Sequence, residues 1–277
     1  MRIFGVDFTS APRKSKPITC AVCSLEGDIL AFEAVEELHS FAAFENWLQQ
    51  PGPWIAGMDF PFSQPRKLLE NLGWPTDWPE MVARVGGLSM KEWEALLKDY
   101  RDARPAGDKQ HLRRTDQLAQ ACSPMMMYGV PVGRMFRQGV PRLLESGVSI
   151  PPLHETGDSR IVLETYPALL ARHLAGGLSY KHDQKQKQTE ARREARRRIC
   201  YGLSSSRVSR QYGVMLDGVD WLSLVDDPKG DGLDALLCAV QAAWAWSRRD
   251  RGYGIPDDVD RLEGWITDPA LAVSTAV

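Results

Sequence analysis

The sequence predicts an α/β protein in which helices flank a mixed β-sheet. Three features support this fold class: short apolar runs that end on acidic residues, tight connections between the first of these runs, and a long apolar helix late in the chain. The 277 residues are 43% hydrophobic and 25% charged, as in a globular protein with a sizeable core. We predict a single domain over residues 1–277, with an insertion of helices and loops at 65–155 after the fourth strand.

Four strands and one helix are predicted for the first 60 residues. The apolar run RIFGVDF ends on Asp7, and PITCAVCSL and ILAFEAV follow it after short connections, so these three strands should be antiparallel neighbours. The segment HSFAAFENWLQQ has apolar residues at helical spacing and begins at a Ser40 cap. WIAGMDF is a fourth strand that ends on Asp59. It should pair in parallel, because a helix precedes it.

The rest of the chain alternates between a polar insertion and further core elements. Tryptophan, proline and charged residues are dense in 65–155, which favours short helices and long loops. DSRIVLETYP is a fifth strand ending near Glu164, and Pro167 begins a helix that Gly176 ends. QKQTEARREARRRICYGL is predicted to be a polar helix and GDGLDALLCAVQAAWAW a buried helix. LEGWI is predicted to return to the sheet as a last strand.

Carboxylates recur at the ends of these elements. Asp7, Asp59 and Glu164 each stand at the C-terminal end of an apolar strand. Asp231 and Asp234 are one turn apart at the start of the apolar helix, so they share a face. A carboxylate on a buried strand is costly unless it is paired or binds a metal, and sites often form where such strands end. Because matching His or Cys ligands are missing, the acids favour a hard cation, Mg²⁺ or Mn²⁺.

Several of these acids also have a purely structural interpretation. Asp59 could cap the turn before Pro61, and Asp231 could be the N-cap of its helix. Glu164 could pair with a buried arginine. The same placement on three strands nevertheless favours a common site.

Five motifs, taken as a set, resemble a known protein family. They are G-V-D-F-T-S-A-P, D-F-P-F, L-E-T-Y-P, S-Y-K and G-D-G-L-D-A-L-L-C-A, and they span nearly the whole chain. With the order of strands and helices, they are similar to an uncharacterised bacterial and archaeal family predicted to be ribonuclease H-like (RNase H-like) nucleases. The resemblance implies an RNase H-like sheet and a metal-dependent nuclease that acts on nucleic acid.

The same resemblance implies roles for the acids. Asp7 matches the first-strand acid of RNase H-like nucleases, and Asp59 is similar in position to the fourth-strand acid. Asp231 and Asp234 resemble the D-x-x-D pair of RuvC-type Holliday-junction resolvases, and the helix acid of RNase H has no clear counterpart here. These four acids would bind metal, and Glu164 is a fifth candidate catalytic residue. The implied chemistry is phosphodiester hydrolysis with two metal ions.

Hydroxyl groups and positive charges supply candidate substrate contacts. One basic stretch covers 180–198 and a second lies at 101–114, on a chain whose net charge is only −2. Either stretch could follow a phosphate backbone, or could be a solvated surface with internal ion pairs. The predicted substrate-binding residues are Thr9, Ser10, Lys181, Arg113 and Arg114.

Two other functions stay open at this point. A kinase or ATPase of actin-like topology shares the order of core elements, but such proteins place a glycine-rich hairpin after the first-strand acid. Here the sequence after Asp7 and Phe8 is Thr-Ser-Ala-Pro-Arg, without glycine. A non-catalytic nucleic-acid-binding module on the same fold is the third alternative.

Cysteine usage and hydropathy indicate the cellular setting. The five cysteines are scattered, which favours a reduced, cytoplasmic protein. Cys20 and Cys23 form a C-x-x-C sequence within a predicted strand, where their side chains should face opposite sides and cannot form a zinc site. No apolar run approaches the roughly 20 residues that cross a bilayer, so no membrane partner is expected.

Overall fold

A six-stranded mixed sheet with helices on both faces organises the computed structural model, which describes residues 1–272. The strand order is β5-β4-β1-β2-β3-β6. β1 to β3 are antiparallel neighbours and β4 is parallel to β1, which confirms the predicted pairings. β5 pairs in parallel with β4. The strands are β1 Arg2–Asp7, β2 Ile18–Glu26, β3 Ile29–Leu38, β4 Trp54–Met58, β5 Arg160–Glu164 and β6 Met215–Asp217.

Helices fill the connections between these strands. Ser40 caps the first helix by accepting a hydrogen bond from the Ala43 N–H at 3.1 Å, as predicted. Pro167 begins α7 and Gly176 ends it in the left-handed conformation, also as predicted. The helices are α1 Phe41–Leu48, α2 Arg66–Asn71, α3 Trp78–Gly86, α4 Met90–Asp102, α5 Arg114–Ala119, α6 Val132–Ser146, α7 Pro167–Ala175, α8 Glu190–Leu203, α9 Ser206–Tyr212, α10 Trp221–Asp226, α11 Asp231–Trp246 and α12 Pro269–Ala272.

The sheet separates two hydrophobic cores. Phe4 and Val6 of β1 pack in one core with residues of α1, α3, α4 and α6. Ile3 packs in the other core with residues of α7 to α11. Because side chains alternate along a strand, Asp7 lies on the same face as Ile3. Cys20 and Cys23 belong to opposite cores, as predicted for a C-x-x-C sequence within a strand.

Two glycines let α11 lie directly on the sheet. A Cβ atom on Gly5 would collide with the backbone of Ala235 and Ala239 in α11. A Cβ atom on Gly57 would lie 2.6 Å from the carbonyl oxygen of Cys238. Close packing on glycine therefore brings the first turn of α11 to the ends of β1 and β4.

The prediction of a last strand at LEGWI is wrong. Residues 262–266 form no strand, because Gly264 has a φ of 74° that interrupts an extended backbone. Trp265 and Ile266 are buried by side-chain packing instead. The sixth strand is Met215–Asp217, which pairs in parallel with β3. Its three residues carry no apolar pattern that would have predicted it.

The predicted insertion at 65–155 contains the helices α2 to α6. Their apolar residues pack with α1 and one face of the sheet.

Across residues 1–272, none of the helices combines the length and the apolarity that a membrane crossing requires.

Candidate metal centre

Three carboxylates meet where β1, β4 and α11 come together. Asp7 is the last residue of β1, and Asp59 follows β4, with its N–H bonded to the Val6 carbonyl at 2.9 Å. Asp234 lies in the first turn of α11. One carboxylate oxygen from each of Asp7, Asp59 and Asp234 lies within 4.8 Å of the others. We call these three residues the acid cluster. All three belong to the metal ligands predicted from the sequence.

Asp234 is held from both sides by the S-Y-K motif. It is fully buried, and its Oδ1 accepts a hydrogen bond from the Tyr180 hydroxyl at 2.5 Å. Its Oδ2 accepts a hydrogen bond from the Lys181 Nζ. The buried Arg196 donates to the Tyr180 carbonyl at 2.6 Å and thereby fixes the backbone of this motif. The structure thus gives Arg196 a positioning role within the basic stretch 180–198, for which contact with phosphates was one of two interpretations.

Burial and mutual repulsion shift the pKa values in the acid cluster. Burial raises the pKa of Asp7 well above its ordinary value, and Asp234, Asp231 and Asp59 raise it further against the opposing effect of Lys181. Burial, followed by Asp234, raises the pKa of Asp59 to about 7. When no cation is bound, Lys181 alone therefore does not offset the burial and the mutual repulsion of these carboxylates.

Among the predicted substrate-binding residues, Lys181 is the one whose basic side chain directly contacts the acid cluster. Burial alone would lower the pKa of Lys181, but Asp234 and Asp7 outweigh it and raise the pKa above its ordinary value. Its side chain is 38% exposed and lines the pocket described below.

Asp231 lies outside the acid cluster, although it precedes Asp234 by one turn. It is half-buried, and burial raises its pKa. It is the first residue of α11 rather than the N-cap, because Gly230 occupies the cap position with a φ of 71°. The structure therefore brings together three of the four predicted metal ligands, with Asp231 beside them.

Glu164 is bound to Arg113 rather than to the acid cluster. Its carboxylate accepts hydrogen bonds from Arg113 Nη2 at 2.6 Å, from Arg113 Nη1 at 2.8 Å and from the Phe62 N–H at 2.9 Å. Asp116 binds the same guanidinium through Nε and Nη2 at 3.0 and 2.7 Å. The alternative interpretation, that Glu164 pairs with a buried arginine, fits this geometry. We call Arg113, Asp116 and Glu164 the arginine network.

The arginine network also corrects the prediction for Arg113. Its side chain is 1% exposed, and its fifth N–H donates to the Glu263 carbonyl at 3.1 Å. Because a guanidinium has five N–H donors, none is left for a substrate phosphate. Burial lowers the pKa of Arg113, but Asp116 and Glu164 outweigh it and keep the group charged. The R-x-x-D spacing of Arg113 and Asp116 is the sequence signal for this pair.

The other predicted substrate contacts are peripheral. Thr9 and Ser10 are half-buried in the loop after Asp7. Arg114 has a side chain that is 47% exposed and binds Asp258 at 2.8 Å. Within residues 1–272, these side chains form no hydrogen bond or ion pair with the acid cluster.

The basic helix α8 is laced with ion pairs. Arg193 binds Asp226 at 2.7 Å, and Arg197 binds Glu194 three residues before it. Much of the positive charge at 180–198 is therefore balanced within the protein. This favours the interpretation of α8 as a solvated surface helix with internal pairs.

A pocket of about 220 Å³ opens beside the acid cluster. Asp59, Asp234 and Lys181 line it together with the arginine network. Apolar side chains from separate segments form much of the remaining lining: Phe60, Pro61, Val130, Val132, Met135 and Ile266. Sequence reasoning missed this pocket, because its walls come from segments that no single motif connects.

Comparison with known proteins places the chain in a family. No curated protein and no solved structure matches it. The model of a family described as "Protein of unknown function (DUF429)" matches residues 5–261, which include the acid cluster, the arginine network and the S-Y-K motif. Since this match covers most of the sequence, the chain belongs to the DUF429 family.

Proposed function

We propose that this protein is a metal-dependent phosphodiester hydrolase, a nuclease, whose acid cluster binds Mg²⁺ or Mn²⁺. The observation that carries the proposal is the convergence of Asp7, Asp59 and Asp234, with one oxygen from each within 4.8 Å of the others. Carboxylate oxygens at this spacing are the ligands that hard divalent cations prefer.

The residues present fit such an ion. Three carboxylates share one site, and the ammonium group of Lys181 provides the direct positive charge. Burial of Asp234 makes this imbalance costly, because desolvated carboxylates need a counter-charge. A divalent cation would supply it. The arginine network illustrates the contrasting case, in which protein groups already supply the charge.

Each residue of the site has a definable task in hydrolysis. A bound Mg²⁺ or Mn²⁺ would polarise a phosphate oxygen and acidify a water molecule. Tyr180 keeps Asp234 oriented through its 2.5 Å hydrogen bond. Lys181 lines the pocket, and its ammonium group can contact the phosphate as the negative charge of the phosphate increases during the reaction.

Charge balance bears on the number of ions. Three ionised carboxylates and one ammonium leave two negative charges, which balance a single divalent cation. The two-ion mechanism implied by the resemblance therefore requires Lys181 to leave Asp234, or the substrate phosphate and Asp231 to contribute. We expect Lys181→Met to tighten Mn²⁺ binding, since it removes the competing positive charge, while it slows hydrolysis.

The RNase H-like assignment is part of the same proposal. It is supported by the three antiparallel strands β1 to β3, the helix α1, the parallel strand β4 and the acid-bearing helix α11. These are the features, in the same order, on which the sequence resemblance rests. Nucleic acid is the substrate that this assignment implies.

The decisive experiment measures metal binding and cleavage on the same proteins. We expect Mn²⁺ to bind the intact chain in calorimetry and to support cleavage of labelled DNA, RNA or hybrid. Asp7→Asn should weaken Mn²⁺ binding at least tenfold and abolish cleavage. Asp28→Asn is the matched control, because Asp28 is exposed in the turn between β2 and β3. Equal behaviour of Asp7→Asn and the wild type, or an absence of Mn²⁺ binding, would refute the proposal.

A further inference from the structure

The pocket and the acid cluster form one continuous cavity. Asp59 and Asp234 belong to both, and Lys181, which contacts Asp234, also lines the pocket. A ligand phosphate at the acids would therefore place the adjoining part of the ligand in the pocket. The volume of about 220 Å³ is smaller than that of a typical pocket for a drug-sized ligand, roughly 300–1,000 Å³. The pocket therefore suits one ring system rather than a stacked duplex.

Its walls favour a flat and uncharged group. Phe60 and Pro61 come from the segment after β4, Val132 and Met135 come from α6, and Ile266 comes from the C-terminal region. These side chains offer dispersion contacts without charge. Aromatic and apolar walls of this kind hold a base that has left its stack.

The arginine network determines which hydrogen-bonding groups of a ligand it can bind in the pocket. All five N–H donors of Arg113 are used within the protein, so its guanidinium offers none to a ligand. Asp116 and Glu164 each accept three hydrogen bonds, whereas a carboxylate has about four acceptor sites. The side chains of the network can therefore accept from a ligand but cannot donate. A base edge that carries an N–H or amino group matches these acceptors. Thr165 lines the same pocket, and its hydroxyl can donate to a ring nitrogen or a carbonyl.

We propose that this pocket is a subsite for one unstacked nucleobase, linked to a phosphate at the acid cluster. The inference rests on the proposed function for the phosphate, while the pocket itself supplies the site for the base. It implies that the substrate is single-stranded, or that it releases one base from its stack.

Binding of mononucleotides tests the subsite directly. AMP, CMP, UMP and ribose 5-phosphate are titrated into the Mn²⁺-loaded full chain by calorimetry. We expect AMP, CMP and UMP to bind at least tenfold more tightly than ribose 5-phosphate. Equal affinity for the three nucleotides and for ribose 5-phosphate would overturn the proposal. A separate titration with Mn²⁺ alone tests the proposed function, so failure of the metal site is distinguished from failure of the base subsite.

Filling the pocket supplies the second test. Val132→Trp and Ala168→Leu, which change two different segments of the lining, should retain Mn²⁺ and ribose 5-phosphate binding but lose the preference for the nucleotides. Leu222→Trp is the control, because Leu222 is 74% exposed and lies outside the pocket lining. If both filling variants are folded by circular dichroism and keep the preference, the base does not occupy this pocket.

Discussion

The acid cluster and the arginine network are two groups of buried or half-buried carboxylates near neighbouring strand ends, and they differ in charge balance. In the arginine network, one guanidinium donates hydrogen bonds to both carboxylates, and all five of its N–H groups are used. In the acid cluster, three carboxylates lie together, and Lys181 forms an ion pair with one of them, Asp234. Glu164 and Asp59 thus have the same kind of position in the sequence and different electrostatic surroundings.

This difference explains why a strand-end acid is insufficient evidence for a metal ligand. Glu164 is satisfied by protein groups, so it stabilises the wall of the pocket. Asp7 and Asp59 are not satisfied in this way, and burial with neighbouring acids raises their pKa values. A cation-binding role is therefore expected where carboxylates outnumber the protein cations that reach them.

Removal of the Arg113 guanidinium should leave the arginine network as unbalanced as the acid cluster. This change has the largest expected effect on stability. Arg113→Met leaves Asp116 and Glu164 buried without a partner, which should lower the free energy of unfolding by about 3–5 kcal/mol. Urea denaturation measures this loss. Arg114→Met is the matched control, since that exposed pair with Asp258 should contribute less than about 1 kcal/mol. Similar values for the two variants would contradict a balanced network.

The pH dependence of stability tests the charge imbalance of the acid cluster. In metal-free protein, folded Asp59 holds its proton up to about pH 7, whereas the unfolded chain releases it near its ordinary pKa. The folded state binds more protons in this window, so the contribution of Asp59 to stability is present below about pH 4 and is lost as the pH rises to about 7. The loss should reach up to about 4 kcal/mol.

The difference between wild type and Asp59→Asn isolates this contribution from other titrating groups. We expect the variant to gain stability relative to wild type as the pH rises from about 4 to about 8 in the presence of a chelator. Saturating Mn²⁺ should reverse the order at pH 8, because it stabilises the wild type alone. A pH-independent difference would contradict the assigned surroundings of Asp59.

A smaller effect is expected for the hydroxyl that orients Asp234. Tyr180→Phe removes the 2.5 Å hydrogen bond and should cost about 1–3 kcal/mol of stability, with a roughly tenfold loss of Mn²⁺ affinity. Tyr212→Phe is matched to it, because Tyr212 is also buried and donates to Asp268 at 2.7 Å. We expect a similar loss of stability and unchanged Mn²⁺ binding. Equal Mn²⁺ affinities in both variants would show that Tyr180 has no positioning role.

Local patterns in the sequence determined much of the framework. Apolar runs, short connections and helix caps predicted β1 to β5, α1, α7 and α11, and the strand ends pointed to Asp7 and Asp59. These elements depend on residues that are close together in the chain. Their backbone hydrogen bonding and burial follow from periodicity alone.

Only the tertiary structure decided which charges meet. Arg113 and Glu164 are 51 residues apart, and Lys181 and Asp234 are 53 residues apart. The close packing of α11 on Gly5 brings Asp234 to Asp7, and the pocket forms where separate segments meet. Charge balance depends on these distances in space, so the sequence alone indicated where acids collect, and the fold decided which of them lack a partner.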